Sequence, residues 1–241
     1  MTNGAWLAGR GGLAVLVDPA RTTPDEARLL AARAADEGAA ALLIGTSFGG
    51  GDASPVARAL KSAAPALPLL QFPATAAELI AEVDAVLFLT LVSGRNAQYL
   101  IEEQVRAVPF VQRNPELEII ATAYCLVDGG RVTSVESVSQ TRPLPADKPE
   151  ILAAHIYAAM LLGIRTTYLD AGSGAVRPVS PAMIRAARDV AVGPLFVGGG
   201  VRSADGVRAA RAAGADFVVV GTEFEQGGTR AVRELALAAR A

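Results

Sequence analysis

The stretch TYLDAGSGA, residues 167–175, decides the fold that this sequence predicts. Its β-branched and aromatic run ends in the carboxylate of Asp170, and five residues with almost no side chain follow. The segments LFVGGGVRS (195–203) and FVVVGTEFE (217–225) repeat this form, with strand residues, then glycine, then a polar residue. Three such segments in succession predict buried strands that present bare backbone at their ends.

Eight short apolar runs alternate along the chain with longer segments of helical period that are rich in Ala, Arg and Glu. The runs are LAVLV (13–17), ALLIG (41–45), PLLQF (68–72), AVLFLT (85–90), EIIATAY (118–124), TTYLD (166–170), PLFVG (194–198) and FVVVG (217–221). Their near-continuous apolar character is typical of parallel strands covered on both faces. Eight βα units predict a TIM (β/α)₈ barrel as one domain over residues 1–241, with a doubly wound sheet as the alternative.

Local signals support these helices and identify one irregular region. Ser180 with Pro181 predicts a helix start, and Ser203 precedes a helix that Gly214 ends. The segment YCLVDGGRVTSVESVS (124–139) alternates around an Asp-Gly-Gly turn. We therefore expect an antiparallel hairpin excursion after the fifth strand.

Composition limits the classes of partner and compartment. The formal charge of −2 and the pI of about 5.5 give no electrostatic reason to expect nucleic acid or an anionic membrane as the main partner. The single cysteine, Cys125, rules out a disulfide framework and lies in a predicted strand, which favours core packing. The longest apolar stretch, residues 151–164, is shorter than the ~20 residues that span a bilayer. We expect a cytoplasmic protein without a transmembrane segment.

The carboxyl ends of the strands carry the active site in this barrel. Glycines after strands six, seven and eight let backbone N–H groups approach a ligand, and the helix after GGGVRS adds a positive dipole end. Tight turns alone could explain one such loop. Three consecutive loops predict a phosphate site.

Two carboxylates at strand ends need separate roles. Asp18 and Ser47 follow adjacent strands and offer the hard oxygen ligands that Mg²⁺ shares with substrate phosphates. A turn or N-cap role for Asp18 is the alternative. Asp170, flanked by Tyr168, can bind a hydroxyl and act as a general base.

Several long motifs, taken together, resemble the geranylgeranylglyceryl phosphate synthase family, which includes bacterial heptaprenylglyceryl phosphate synthases. They are YLDAGSGA (168–175), GGGVRS (198–203), GADFVVVGT (214–222), LVSGRNAQYLIEEQV (91–105) and VDGGRVTSVESVSQTRPLPADK (127–148). The last two are similar to segments of that family's second, longer-chain group. The match runs from Leu13 to Glu225.

The resemblance implies a TIM-barrel prenyltransferase that joins a polyprenyl diphosphate to sn-glycerol 1-phosphate. It implies Mg²⁺ bound by Asp18 and Ser47, and it implies self-association and peripheral contact of a lipid product with a membrane. Residues that would hold the glycerol phosphate are Tyr168, Leu169, Asp170, Ala171, Gly172, Ser173, Gly174, Gly199, Gly200, Gly221 and Thr222. Tyr168 and Asp170 would orient the hydroxyl that attacks the allylic carbon.

Three positions depart from the family pattern. Asp170 replaces the family's Glu and draws the carboxylate back by about one bond length, ~1.5 Å. Thr222 replaces an Asn, and His155 replaces a small polar residue. All three are expected in or near the half that binds the acceptor, so 3-phosphoglycerate, the acceptor of the related moenomycin-type phosphoglycolipid branch, is the alternative acceptor. A phosphosugar isomerase or synthase on the same barrel and a catalytically silent phosphate-binding protein are the other hypotheses.

Overall fold

The computed structural model describes residues 7, 9–49, 51–221 and 229–240, and it contains the eight predicted strands. They are β1 (Gly12–Val17), β2 (Ala41–Ile44), β3 (Leu69–Gln71), β4 (Ala85–Leu91), β5 (Glu118–Leu126), β6 (Thr166–Asp170), β7 (Leu195–Gly198) and β8 (Phe217–Val220). Every neighbouring pair is parallel. Because β1 also pairs with β8 in parallel, the sheet closes into a barrel. This confirms the TIM barrel and excludes the doubly wound sheet.

Helices cover the outside of the barrel. They are α1 (Pro24–Asp36), α2 (Ser54–Ala63), α3 (Glu103–Arg113), α4 (Ser134–Ser139), α5 (Pro149–Leu161), α6 (Pro181–Val190), α7 (Ala204–Ala212) and α8 (Thr229–Arg240). A 3₁₀ turn (Ala76–Glu78) and a π turn (Gln98–Glu102) complete the described helical elements. Within the part of the chain that the structure describes, no helix is long and apolar enough to cross a membrane.

The predicted helix boundaries are confirmed by side-chain caps. Ser180 accepts a hydrogen bond from the Met183 backbone N–H at 3.3 Å, and Ser203 accepts one from Gly206 at 3.1 Å. These bonds satisfy backbone donors that the first turn of a helix leaves unpaired. Gly214 follows α7 with φ of +108°, a conformation that glycine adopts more readily than other residues.

The hairpin predicted after the fifth strand is wrong, because α4 occupies its second half. Thr133 caps this helix by accepting a hydrogen bond from the Glu136 backbone N–H at 3.4 Å. The cap signal of a threonine three residues before a glutamate therefore outweighed the alternation that suggested a strand. Val127 instead forms a parallel bridge to Leu144.

The glycines of the predicted hairpin turn serve a close contact with the loop after β6. The Gly129 carbonyl accepts hydrogen bonds from the backbone N–H groups of Val176 at 2.9 Å and Arg177 at 3.0 Å. A Cβ atom at Gly129 would lie 2.5 Å from the Ala171 carbonyl oxygen. The loop after β5 is thereby fixed against the loop that follows Asp170.

Alternate residues along each strand divide the core into two layers. Leu169 and Cys125 are fully buried in the layer between barrel and helices, which confirms the core-packing prediction for Cys125. Burial raises the pKa of the Cys125 thiol to about 12, so this thiol stays protonated near neutral pH.

Aromatic rings fill the interior of the barrel beneath the site. Tyr168 lies 4.6 Å from Phe72 and 5.9 Å from Phe196 between ring centroids, and Phe196 stacks on Phe217 at 4.5 Å. Such close-packed rings make a rigid floor for anything bound above them.

Candidate active site

A cavity of about 140 Å³ opens at the carboxyl ends of the strands, mostly over β6, β7 and β8. Backbone-rich loop positions and a few polar side chains form its wall. The lining residues are Leu16, Gly45, Thr46, Ser47, Phe72, Tyr168, Asp170, Ser173, Gly174, Gly199, Gly200, Val201, Arg202, Val219, Val220 and Gly221. This is the position that the glycine-ended strands predicted for a phosphate.

The glycines in this wall allow a backbone approach that a side chain would block. Gly199 has φ of +79°, and a Cβ atom there would lie 2.5 Å from Asp170 Oδ1 and 2.6 Å from the Gly172 nitrogen. Gly172 has φ of +87°, and its Cβ would lie 2.5 Å from Thr133 Cγ2. Glycine at these positions therefore lets the loop after β6 lie this close to the loop after β7, at Gly199, and to the segment after β5, at Gly172.

Asp170 is buried and held by two donors. Its Oδ2 accepts a hydrogen bond from the Tyr124 hydroxyl at 2.6 Å, and its Oδ1 accepts one from the Gly172 backbone N–H at 2.7 Å. Burial raises the pKa of Asp170 above its ordinary value, and the two hydrogen bonds oppose that rise. A carboxylate has about four acceptor positions, so Asp170 retains capacity to accept a substrate hydroxyl.

Tyr168 lies in the same wall, with its hydroxyl over β7. A Cβ atom at Gly198 would lie 2.6 Å from the Tyr168 hydroxyl, so that glycine makes room for the ring. Burial, and then the charge of Asp170, raise the pKa of Tyr168 well above its ordinary value. The phenol therefore stays protonated near neutral pH and can donate a hydrogen bond.

The structure brings together most of the residues predicted to hold the acceptor. Those that line the cavity are Tyr168, Asp170, Ser173, Gly174, Gly199, Gly200 and Gly221. Leu169 and Ala171 point into the barrel–helix layer, and Gly172 contributes by its N–H to Asp170. Thr222 lies outside the described residues. Contact of these residues with a ligand stays a prediction.

Two residues in or beside the polar cavity were not predicted from the sequence. Arg202 lines the cavity and donates from Nη2 to the Ala175 carbonyl at 3.0 Å; it is the single cation among the described lining residues. Its place in GGGVRS, after three glycines, was the available signal. Tyr124 gave no comparable signal, because its bond to Asp170 joins residues that are 46 positions apart.

A second, mainly apolar groove adjoins this cavity on the side of β2, β3 and β4. Its walls come from the strand ends, the 3₁₀ and π turns, α3 and α4. The lining residues are Thr46, Ser47, Phe72, Pro73, Ala74, Thr75, Ala76, Leu79, Phe88, Leu89, Leu91, Tyr99, Glu103, Gln104, Ala107, Tyr124, Val135, Val138 and Ser139. Thr46, Ser47 and Phe72 line both spaces, so the polar cavity and the apolar groove meet at these three residues.

Of the two predicted metal ligands, Ser47 lies at this boundary, and Asp18 is not among the residues that line either space. Ser47 lines both spaces, whereas Asp18 follows β1 with its side chain 26% exposed. Asp18 Oδ1 accepts a hydrogen bond from the Ala20 backbone N–H at 3.0 Å, and Oδ2 lies 3.5 Å from Arg21 Nε. Arg21 is 79% exposed, so its pairing with Asp18 is worth little.

Two further acids near this boundary were also missed. Burial raises the pKa of Glu78, and the negative charges of Glu103 and Asp18 contribute to that rise. Hydrogen bonds from the backbone N–H groups of Ala74 to Glu78 and of Ala76 to Glu103 hold both carboxylates. Of these two acids, Glu103 lines the apolar groove.

His155, expected in or near the acceptor half, is not among the residues that line either space. It lies on α5, where its Nδ1 is 2.8 Å from the Ile151 carbonyl oxygen. Its Nε2 is 3.3 Å from Arg95 Nη2, in the segment that follows β4. The departure from the family pattern at position 155 therefore gives no direct evidence about which acceptor is bound.

The fold and the site define a (β/α)₈-barrel protein with a glycine-rich anion cradle beside an apolar groove. Within that class, the chain belongs to the PcrB family, which it matches over residues 7–239.

Similar proteins agree with this assignment. A geranylgeranylglyceryl phosphate synthase from Spirosoma linguale is 41% identical over 220 residues, which cover 91% of this chain and 88% of that protein. One from Methanothrix thermoacetophila is 42% identical over 217 residues, covering 88% and 83%. The crystal structure of (S)-3-O-geranylgeranylglyceryl phosphate synthase from Thermoplasma acidophilum, in complex with substrate sn-glycerol-1-phosphate, matches with a TM-score of 0.90. The match has 25% identity and covers 98% of this chain and 96% of that one.

Proposed function

We propose that this protein is a Mg²⁺-dependent prenyltransferase that forms an ether between a polyprenyl diphosphate, such as geranylgeranyl diphosphate, and sn-glycerol 1-phosphate. The observation that carries the proposal is the junction at Thr46, Ser47 and Phe72, where an apolar groove meets a polar cavity. A prenyl tail suits the groove, and a small phosphate suits the cavity. The names of the similar proteins support the same pairing.

The polar cavity can bind and orient the acceptor. Backbone N–H groups of the loops after β6 and β7, together with Arg202, offer donors for a phosphate. Asp170 then accepts a hydrogen bond from the acceptor's hydroxyl and takes its proton as that oxygen attacks. Tyr168, protonated and fixed by its stacked neighbours, donates to the acceptor and limits its orientation.

The proposed reaction balances as an alkyl transfer. The acceptor oxygen bonds to C1 of the prenyl chain while the C1–O bond to the diphosphate breaks, and the diphosphate leaves with the electron pair. The hydroxyl proton passes to Asp170, whose raised pKa favours a base that can hold it. No covalent protein intermediate is required, so positioning and charge stabilisation account for the rate.

Asp18 and Ser47 offer the hard oxygen donors that Mg²⁺ prefers. Mg²⁺ is commonly bound by one or two protein oxygens together with waters and substrate phosphates. We propose Asp18 and Ser47 as those ligands, and the bound ion would neutralise charge on the departing diphosphate.

The acceptor is tested directly by incubating the protein and MgCl₂ with labelled geranylgeranyl diphosphate and either glycerol 1-phosphate or 3-phosphoglycerate. We expect an ether product from glycerol 1-phosphate, because the carboxylate of 3-phosphoglycerate would meet the negative charge of Asp170. Turnover of 3-phosphoglycerate alone would replace the proposed acceptor. No prenyl transfer to either would exclude the enzyme activity and favour a phosphosugar enzyme or a silent binding protein.

The Asp18→Ala variant separates catalysis from simple binding. An enzyme that uses Mg²⁺ at this position should lose turnover and retain affinity for glycerol 1-phosphate, measured by calorimetry. Asp25→Ala, at an exposed position on α1, is the matched control and should behave as wild type. Unchanged turnover of Asp18→Ala over a MgCl₂ titration would remove Asp18 from the metal site.

A further inference from the structure

Two exposed arginines lie beside the polar cavity, on the loops that follow β5 and β6. Arg131 Nη1 lies 3.9 Å from the position that a Cβ atom at Gly174 would occupy. In the reverse direction, Arg177 Nε lies 3.2 Å from the corresponding position at Gly130. Each arginine therefore reaches over a glycine of the other loop, and a side chain at Gly130 would crowd the guanidinium group.

These loops belong to the wall of the polar cavity or directly adjoin it. Gly174 lines the cavity, and so does Gly200, whose Cβ position lies 3.2 Å from the carbonyl carbon of Arg177. From the loop after β7, Arg202 donates a hydrogen bond to the Ala175 carbonyl. Three consecutive loops thus each place an arginine in or beside the same wall.

The positive charge of these loops exceeds their negative charge. Residues 127–133, 171–180 and 199–203 contain these three arginines and a single acid, Asp128. Asp128 Oδ2 lies 4.0 Å from Arg177 Nη2, and the two side chains are 50% and 65% exposed, so this pair is weak. Because the whole chain has a formal charge of −2, the excess of positive charge is a local feature of this part of the barrel mouth.

A small phosphate is the ligand that this arrangement suits. The guanidinium group presents N–H donors in a planar fork that matches phosphate oxygens. Positive charge around a cleft also raises the local concentration of anions and the rate at which they enter. The surface that the arginines adjoin is the glycine-rich wall proposed for the acceptor's phosphate. The donor's diphosphate is instead proposed to lie near Ser47, which follows β2.

We propose that Arg131 and Arg177 form a cationic entrance to the polar cavity, which attracts the phosphate of the acceptor and raises the specificity of the enzyme for it. The identity of this acceptor rests on the proposed function. The entrance acts on the phosphate as it arrives, whereas Asp170 acts on the hydroxyl of the bound acceptor. The two arginines should therefore affect kcat/KM for the acceptor and leave kcat near its wild-type value.

The test removes both charges, by Arg131→Gln combined with Arg177→Gln. At low salt, this double variant should lower kcat/KM for glycerol 1-phosphate by about tenfold, the lower end of the usual electrostatic steering effect. Calorimetry with glycerol 1-phosphate should show weaker binding by a similar factor. The KM for geranylgeranyl diphosphate should not change. Circular dichroism confirms that the variant is folded.

The matched control removes two charges from the other end of the same strands. Arg113 and Arg165 are exposed and precede β5 and β6, so Arg113→Gln combined with Arg165→Gln should behave as wild type. Replacing Arg131 and Arg177 by lysine keeps the charge and should restore most of kcat/KM. Raising the salt concentration from about 0.01 M to about 1 M shortens the Debye length from about 30 Å to about 3 Å. The difference between wild type and the double glutamine variant should then disappear.

Four results would overturn the proposal: a double glutamine variant with wild-type kcat/KM at low salt, an equal loss in the control, a loss that lysine does not restore, or a loss confined to geranylgeranyl diphosphate. Failure of the proposed function is seen separately, as the absence of any ether product from wild type. Calorimetry with glycerol 1-phosphate alone still tests the entrance in that case, because the measurement requires no prenyl donor.

Discussion

The two halves of the barrel mouth achieve opposite chemistry from the same architecture. Over β6, β7 and β8, glycines leave backbone exposed beside the polar side chains of Tyr168, Asp170 and Arg202. Over β2, β3 and β4, bulky apolar side chains such as Phe88 and Leu89 form it. This difference shows that the barrel places residues at the strand ends, and that the size and polarity of those residues determine which ligand can bind.

The largest expected effect comes from removing the base on the polar side. Asp170→Asn should lower kcat by roughly 100- to 10,000-fold, the usual contribution of general base catalysis. Affinity for the prenyl diphosphate should not change, because the groove is untouched. Single-turnover kinetics with labelled donor checks this, with Asp189→Asn on the exposed side of α6 as the control. A kcat within a few-fold of wild type would assign the base elsewhere.

Filling the polar wall should damage acceptor binding next. Gly199→Ala should weaken glycerol 1-phosphate binding by about 100-fold, because the added Cβ displaces Asp170 and the Gly172 N–H. Gly163→Ala has a similarly positive φ of +87° with no neighbour within 4 Å, so it measures the backbone strain alone. Calorimetry on both variants separates strain from lost contact. Equal affinities would contradict a role for the Gly199 contact.

Filling the apolar wall should damage the other ligand. Val138→Trp should raise the KM for geranylgeranyl diphosphate by about tenfold, which corresponds to roughly two methylene groups no longer buried. The dissociation constant for glycerol 1-phosphate should stay unchanged. Val132→Trp, at a 64% exposed position near α4, is the control. If Val138→Trp impairs both ligands equally, the two halves are not separate subsites.

The smallest effect concerns the proton on Asp170. Tyr124→Phe removes a hydrogen bond that stabilises the charged carboxylate, so the pKa of Asp170 should rise further. The acid limb of the kcat/KM profile should therefore move to higher pH, with a loss at neutral pH of no more than about tenfold. An acid limb at the wild-type position would show that Tyr124 does not act through Asp170.

The raised pKa of Asp170 in the folded protein also determines how the free energy of unfolding changes with pH. The folded-state pKa of Asp170 lies above the unfolded value, so the folded state binds the proton more tightly. Its contribution to the free energy of unfolding is greatest below the unfolded pKa and declines as pH rises through the folded pKa.

Sequence patterns predicted local features well and long-range contacts poorly. Eight buried strands and the caps at Ser180 and Ser203 follow from residues close together in the chain, and the structure confirms them. The segment around α4 was misread because an alternating pattern and a helix cap overlapped there. The Tyr124 bond to Asp170 and the meeting of the two cavities at Phe72 depend on the closed barrel, which no local pattern specifies.

Phe72 is shared by both cavities, and this has a thermodynamic consequence. A ligand in either space becomes part of the wall that the other ligand contacts. Each substrate should therefore change the other's affinity, and linkage requires the two factors to be equal. One ring that directly follows a three-residue strand would then couple the binding of a water-soluble phosphate to the binding of a long apolar chain.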